Sequence, residues 1–377
     1  MAPMRAIHMF GLLVAAGVLA NGALAQNAPP SSANQSSPTQ TSRPQPSHPP
    51  TSHPRDLTGV WTNANLTPPT RPRSVDKLVV TPEEAKKMAQ SSTILGFARD
   101  PTDYVDRVDP NAPAPPKGST DFGLKGYNSF WLATGDSLAR VRGEYRTSNV
   151  VDPLNGQIPY RASARRGARA PGGNFLTGAG LYDGPEYLGI AERCLLGFSG
   201  NSGPGMFTPV YNNNYQFVLT DRYLVIAAEM VHDARIIPIY GSEAEARAHH
   251  RPDAIKPWMG DSVGWWDGDT LVAESVNLDP TQAEQGQIRL SPKGKITERF
   301  QRWADDEIFY SFTVDDPEMY TQPWTVENSF RPQSRVYEYA CHEGNYAMPG
   351  ILIGARKLER DQAAKDLAAS KDKKARD

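Results

Sequence analysis

Two histidines with acidic neighbours are the residues best suited to acid–base chemistry in this chain. His232 lies in the stretch EMVHDAR and His342 in the stretch YEYACHEGNY. Imidazole exchanges protons near neutral pH, and a neighbouring carboxylate can orient or tune it. We therefore predict that His232 and His342 act as general acid and base, with Glu229 and Asp233 orienting them.

A binding pocket next to these groups is expected to contain a cation and large aromatic rings. We predict that Arg235 binds an anionic group or developing negative charge. The other predicted pocket residues are Trp258, Asp261, Trp265, Tyr339 and Glu343. Several tryptophans near acids would suit a small amphipathic ligand in an apolar cavity. The tryptophans expected around that cavity are Trp258, Trp265, Trp266, Trp303 and Trp324.

Three other interpretations of the polar residues remain open. A divalent metal could use His232, Asp233, His342 and Glu343, although the chain has no compact ligand motif such as HExxH. GDSVG around Ser262 matches the nucleophile elbow, but a hairpin pattern follows it where the elbow needs a helix, so a serine hydrolase is a lesser alternative. An internal ion-pair network of Glu229, Asp233 and Arg235 would be purely structural.

Missing cofactor motifs and the context of the other histidines reduce the number of candidate catalytic groups. The chain has no glycine-rich nucleotide loop and no c-type haem motif, so we predict no organic cofactor and assign no metal. His249 and His250 lie in ARAHHRPD, which has the composition of a polar surface loop, and we expect both to be solvated. His232 and His342 therefore remain the candidate acid–base histidines of the predicted folded region.

Strand signals surround these clusters and predict an all-β fold. Apolar, β-branched and aromatic runs alternate with turn signals at residues 220–222, 267–269 and 304–306. The opening DLTGVWTN and the late SRVYEYACHEGN read as further strands. This pattern predicts an antiparallel meander that forms a barrel or curved sandwich with long loops. TPEEAKKMAQ predicts one short N-terminal helix with Thr81 as its N-cap and Pro82 in its first turn.

Regular strand alternation would sort the polar residues by face. Glu229, Asp233 and Arg235 would then share one face of their strand, with His232 on the other. In the later strand, His342 would face away from Tyr339 and Cys341. A β-bulge in either strand would invalidate this assignment.

The ends of the chain indicate export. Residues 1–25 combine a short basic start, an apolar core and Ala23-Leu24-Ala25, which is typical of a cleaved signal peptide. Residues 26–55 form a Pro/Ser-rich linker that cannot bury enough apolar surface to fold. A single β-rich domain is expected over residues 56–360, followed by a polar tail at 361–377. No second long apolar run suggests a membrane span.

The charge balance and the cysteines add two further expectations. A formal net charge of −2 without a basic stripe argues against nucleic acid as a partner. Cys194 and Cys341 are the only cysteines, and an isolated pair in an exported protein predicts one disulfide. The basic, Gly-rich loop 161–180 could be a lid or simply a solvated loop.

Several long motifs resemble a family of exported, β-rich proteins of unassigned function from Gram-negative bacteria. They are DLTGVWTN, EMVHDARIIPI, WMGDSVGWWDGDTLVAES, FTVDDPEMYTQPW and YEYACHEGNYAMPGILIGAR. The resemblance spans nearly the whole mature region. It implies a periplasmic, lipocalin-like or related barrel and carries no reaction with it.

From the sequence, the function expected first is that of a periplasmic or secreted enzyme. It would apply acid–base chemistry, as a hydrolase, lyase or isomerase, to a small organic or glycosidic substrate in a barrel pocket. The alternative is a barrel that binds a small ligand without catalysis. That alternative needs the aromatic residues and Arg235, but it does not need two acid-flanked histidines.

Overall fold

The computed structural model describes residues 52–92, 133–166, 182–197, 201–280, 282, 288–343 and 346–376. The predicted signal peptide (1–25) and nearly all of the predicted linker (26–55) lie outside these ranges. So does most of the basic loop 161–180, of which only the first six residues are described.

The described residues form thirteen strands and four α-helices. The strands are β1 (Gly59–Thr62), β2 (Val79–Val80), β3 (Arg140–Val141), β4 (Glu144–Arg146), β5 (Val150–Asp152), β6 (Asn214–Leu219), β7 (Tyr223–Ala228), β8 (Ala234–Tyr240), β9 (Asp261–Asp267), β10 (Thr270–Val276), β11 (Lys295–Ala304), β12 (Glu307–Asp315) and β13 (Trp324–Pro332). The helices are α1 (Pro82–Gln90), α2 (Ala162–Arg166), α3 (Glu243–Ala248) and α4 (Ala347–Arg376). Short 3-10 helices lie at Pro185–Tyr187 and Met230–His232.

Nine of these strands close into a barrel, which confirms the all-β prediction. The order is β1-β6-β7-β8-β9-β10-β11-β12-β13, and β1 pairs with β13 to complete the ring. Every antiparallel pairing reverses strand direction, so a closed ring with an odd number of strands must contain a parallel pair. That pair is β8–β9, and the longer connection that a parallel pair requires contains α3. The barrel is therefore mixed rather than a pure antiparallel meander.

The turn signals read from the sequence connect hairpins of the barrel. Residues 220–222, 267–269 and 304–306 join β6 to β7, β9 to β10 and β11 to β12. In the second of these turns Gly268 has a φ of 59°, a conformation that glycine adopts without strain. Helix α1 begins with the predicted Thr81 cap, and a capping box with Glu84 completes it.

Side chains fill the interior of the barrel. The aromatic residues there are no more than 1 % exposed, and their ring centroids lie 5.0–6.4 Å apart: Tyr215, Phe217, Phe300, Tyr310, Phe312 and Phe330. The chain that precedes β6 contributes Met206 and Phe207, which are equally buried. The interior is thus a packed core, because these rings and the inserted segment occupy its centre.

The prediction that five tryptophans line one apolar cavity is wrong. Trp324 lies in the barrel core and Trp266 packs against it, whereas Trp265 packs beneath α3 on the outside. Trp303 belongs to another outer cluster, and Trp258 is 36 % exposed. Consecutive strand residues point to opposite faces, so Trp265 and Trp266 could not both face one cavity.

Residues 334–343, the described part of the stretch SRVYEYACHEGN, do not form the predicted strand. Strand β13 already pairs with β12, β5 and β1, so its edges have no place for a further strand. We call residues 333–343 the strap. It runs as irregular chain to Cys341 and leads towards α4, which continues past the predicted boundary at residue 360. In the described part of the chain, no helix is both long and apolar enough to cross a membrane.

Candidate functional site

The connection between β7 and β8 has an unusual backbone. Val231 and His232 have φ values of 62° and 57°, inside a short 3-10 turn. The left-handed region is sterically unfavourable for residues with a side chain, and especially for a β-branched one. Such residues cost about 1–3 kcal/mol each and are concentrated at functional sites. The turn also breaks the regular alternation of this stretch, so the predicted assignment of Glu229, Asp233 and Arg235 to one strand face is wrong.

The strap fixes the imidazole of His232. The backbone N–H of Tyr339 donates a hydrogen bond to Nε2 of His232 across 3.1 Å. A nitrogen that accepts a hydrogen bond carries no proton, so the neutral ring must carry its proton on Nδ1. The ring is exposed, and no described residue accepts a hydrogen bond from Nδ1. His232 therefore presents a neutral N–H donor to solvent at the end of the barrel.

Glu229 holds this turn and the strap together. Its side chain is 2 % exposed and accepts three hydrogen bonds of 2.8 Å, from the side-chain amides of Asn212 and Asn214 and from the backbone N–H of Tyr337. These donors offset the cost of burying a carboxylate. All three partners belong to the protein, so the Glu229 carboxylate is occupied in joining the turn to the strap and is not open to a substrate.

Asp233 follows His232 and is also partly buried. Its Oδ2 accepts hydrogen bonds from the backbone N–H of Gly197 at 3.0 Å and from the Ser202 hydroxyl at 2.7 Å. Burial raises the pKa of the Asp233 carboxyl above its ordinary value, although these hydrogen bonds and nearby His232 act in the opposite direction. A carboxyl group with a raised pKa can both hold and release a proton closer to neutral pH.

The predicted disulfide between Cys194 and Cys341 is confirmed, with Cα atoms 5.8 Å apart. It ties the strap to the segment that contributes Gly197 to Asp233. Tyr337, Tyr339 and Cys341 each attach the strap, at alternate residues, to the β7–β8 connection or to Cys194. The strap thus has the alternation expected of a strand without a neighbouring strand. Within it, the Tyr339 side chain is half-buried, while His342 and Glu343 are exposed.

Arg235 does not belong to this site. It lies inside the barrel, 3 % exposed, and pairs through both terminal nitrogens with Glu298, which is fully buried. Burial alone would lower the pKa of Arg235, but the Glu298 carboxylate raises it above its ordinary value. Tyr310 also donates to Glu298, at 2.6 Å. The predicted substrate-binding role is wrong, because the guanidinium lies in the core and both of its terminal nitrogens pair with Glu298.

Asp261 belongs to a second polar cluster, on the outside of the barrel next to α3. Its Oδ2 lies 2.8 Å from Nδ1 of His250, and Nε2 of the same ring lies 3.6 Å from Glu274. His250 is therefore not solvated as predicted; its side chain is only 15 % exposed. His249 is exposed as expected and stacks on Tyr240. The sequence could not reveal the bridging histidine, because its partners come from two strands further along the chain.

Removing the imidazole of His250 is expected to destabilise the protein more at pH 5.5 than at pH 8. The pKa of His250 is raised above 6.5 by Glu274 and Asp261, although burial opposes them. Its stabilising contribution is thus complete below about 6.5, the unfolded pKa, and is lost as the pH rises through the higher folded pKa.

Urea unfolding of wild type and His250→Gln at both pH values measures this difference. We expect a loss of about 1–2 kcal/mol at the lower pH. His249→Gln is the matched control and should show no such pH dependence. An equal effect of His250→Gln at both pH values would contradict the assignment.

The two minor alternatives receive no geometric support. Strand β9 continues through Ser262 into the β9–β10 hairpin, and the Ser262 hydroxyl lies 2.7 Å from that of Ser275, so no strand–turn–helix elbow forms. Among the described residues, no group of three or more His, Cys, Asp or Glu side chains is arranged to hold a metal ion.

The structure thus brings together His232, Asp233, Glu229 and the strap, whereas Arg235, Asp261 and Trp265 belong to other clusters. No family model, curated protein sequence or solved structure matches the chain. The resemblance to exported bacterial proteins stays a prediction, and function has to be inferred from the chemistry of the β7–β8 turn and its strap.

Proposed function

We propose that this chain is an exported enzyme that carries out acid–base chemistry on a small organic substrate at the end of the barrel. The observation that supports it most is the left-handed backbone at Val231 and His232. It holds an exposed imidazole in one tautomer beside a carboxyl group whose pKa is raised. Strain at a solvent-facing histidine gives no packing benefit, which favours a functional role.

The two side chains suit complementary tasks. Neutral His232 can donate from Nδ1 to a carbonyl or leaving-group oxygen and so stabilise developing negative charge. Asp233 has its Oδ2 occupied by Gly197 and Ser202, while its Oδ1 makes no hydrogen bond to a described residue. That oxygen is available to take up or return a substrate proton. A lyase, isomerase or hydrolase can use such a pair without an organic cofactor.

Positioning is the role of the groups around the pair. Tyr339 sets the tautomer of His232, Glu229 anchors the strap, and the Cys194–Cys341 disulfide keeps the strap in place. The disulfide also supports export, because such bonds persist in oxidising compartments. His342 and Glu343 lie at the exposed end of the strap and are proposed as secondary proton-exchanging groups. A ligand inside the barrel is not part of this proposal, since side chains fill the interior.

Incubation of the purified protein with mixtures of small metabolites, followed by mass spectrometry, tests this function. We expect a compound that wild type transforms, and a fall of roughly 10²-fold in turnover for His232→Ala and for Asp233→Asn. His249→Ala removes an exposed histidine elsewhere and is the matched control. If a compound is bound but not transformed, or if the His232 variant retains full turnover, the catalytic proposal fails and the ligand-binding alternative stands.

A further inference from the structure

A cleft of about 660 Å³ lies away from the groups discussed above, between the chain at residues 70–76 and the loop at 155–160. Cavities of this size hold small organic ligands in many proteins. One part of its lining is apolar, with Pro72, Val75, Ile158 and Tyr160. The charged side chains of the lining are Arg71, Arg73 and Asp76.

Arg71 is a buried cation that forms no ion pair with a described residue, although the charge of the exposed Asp76 carboxylate acts on it. The Arg71 side chain is 7 % exposed, and no carboxylate of any described residue lies within ion-pairing distance of its guanidinium. Nη1 donates to the backbone carbonyls of Leu154 at 2.8 Å and Asp76 at 3.2 Å. Nε and Nη2 are shielded from solvent and have no hydrogen-bond partner. Buried donors are nearly always satisfied in folded proteins, so these three N–H groups require an explanation.

The surrounding chain is built to hold Arg71 in this position. Its backbone N–H donates to Gly156 and its carbonyl oxygen accepts from the side chain of Gln157. Gly156 has a φ of 68°, and a Cβ at that position would lie 2.7 Å from the Cβ of Arg71. The glycine is therefore needed to admit the arginine. Two segments distant in sequence thus cooperate to bury a guanidinium that leaves three of its N–H donors without a partner.

We propose that this cleft binds a small organic carboxylate, with the Nε–Nη2 edge of Arg71 as the anion site and the apolar lining around the rest of the ligand. The two nitrogens of that edge match the two oxygens of a carboxylate. Arg73 is exposed at the cleft and adds a second positive charge, whereas the exposed Asp76 carboxylate opposes binding. Because the Nε–Nη2 edge is shielded from solvent and Nε lies next to Gly156, binding of the carboxylate requires a local opening between residues 71 and 156.

Calorimetric titration of the purified protein with benzoate tests the proposal, with benzamide as a neutral ligand of the same shape and inorganic phosphate as an anion without an apolar body. We expect saturable binding of benzoate and at least 10-fold weaker binding of the other two. Arg71→Gln should weaken benzoate binding at least 10-fold, since a hydrogen bond to a charged group contributes on this scale. Asp76→Asn should strengthen it about 3-fold by removing a nearby like charge.

The control is Arg222→Gln, which removes an exposed arginine on the β6–β7 turn and should leave binding unchanged. Circular dichroism of each variant distinguishes loss of binding from loss of fold. Arg73→Gln removes a second positive charge of the cleft at an exposed position, where we expect the fold to tolerate the change. We expect it to weaken benzoate binding about 3-fold. Equal binding of benzoate and benzamide, tighter binding of phosphate than of benzoate, or unchanged affinity in Arg71→Gln would each overturn the proposal.

Discussion

Replacing Arg235 with methionine is expected to lower the free energy of unfolding by about 3–5 kcal/mol. The guanidinium lies in the barrel core and pairs with Glu298, whose side chain has no solvent exposure. Without Arg235, the Glu298 carboxylate would keep only the Tyr310 hydroxyl and the backbone N–H of Gly205 as donors. An uncompensated buried charge is costly, and removing one partner of a buried pair leaves such a charge.

Chemical denaturation with urea measures this loss directly. Arg299→Met is the matched control, because Arg299 lies on the opposite face of β11 and pairs with Asp267 at the surface, where a pair contributes at most about 1 kcal/mol. The double variant Arg235→Met/Glu298→Gln should lose less than Arg235→Met alone, since it removes the stranded charge. A double variant that is less stable than the single one would show that buried charge is not the cause.

Replacing both Cys194 and Cys341 with serine is expected to cost about 3–5 kcal/mol of unfolding free energy. The disulfide closes a loop with a sequence separation of 147 residues, and loop entropy alone would give about 5 kcal/mol for that length. The loss of local stability should be greatest in the strap. Amide hydrogens of Tyr337 and Tyr339 are expected to exchange faster in the variant, because their acceptors Glu229 and His232 then hold the strap without its covalent tie.

A reducing agent provides the internal control for this second prediction. It should lower the stability of the wild type to about that of the double-serine variant and leave the variant unchanged. Titration of the unfolded, unreduced protein should find no free thiols. An unfolding midpoint that does not respond to reductant would contradict the assigned contribution of the disulfide.

Short sequence signals, such as turn dipeptides and helix caps, were sufficient to predict much of the secondary structure. Asp-Gly at 267–268 predicts its hairpin because that dipeptide tolerates the turn geometry. Thr81 predicts the start of α1 because its side chain caps the backbone N–H of Glu84, only three residues further along the chain. The cysteine pair was predictable because the chain has no third cysteine. Each of these features depends on neighbouring residues or on composition, and both can be read from the sequence without the tertiary structure.

The candidate site was predictable only in part. The sequence indicates His232, Asp233 and Glu229 because polar residues interrupt an apolar run, and the structure places them in one turn. The assignment of Arg235 to the same site failed because it assumed that an unbroken strand would place Glu229, Asp233 and Arg235 on one face. The positive φ values at Val231 and His232 interrupt that strand. The sequence does not reveal the bridging position of His250 for a related reason, since Asp261 and Glu274 reach it from two other strands.

The sequence by itself determined the β-rich class, the hairpins, the first helix and the disulfide partners, because these follow from period, turn chemistry and cysteine count. Only the tertiary structure decided that the barrel closes with a parallel pair and that its centre is filled. It also decided that residues 337–343, which read as a strand in the sequence, belong to an irregular strap. These outcomes depend on which strand edges remain open and which side chains meet across distant segments. Closure left β13 without a free edge, and so the strap is held by Glu229, His232 and Cys194 instead of by a sheet.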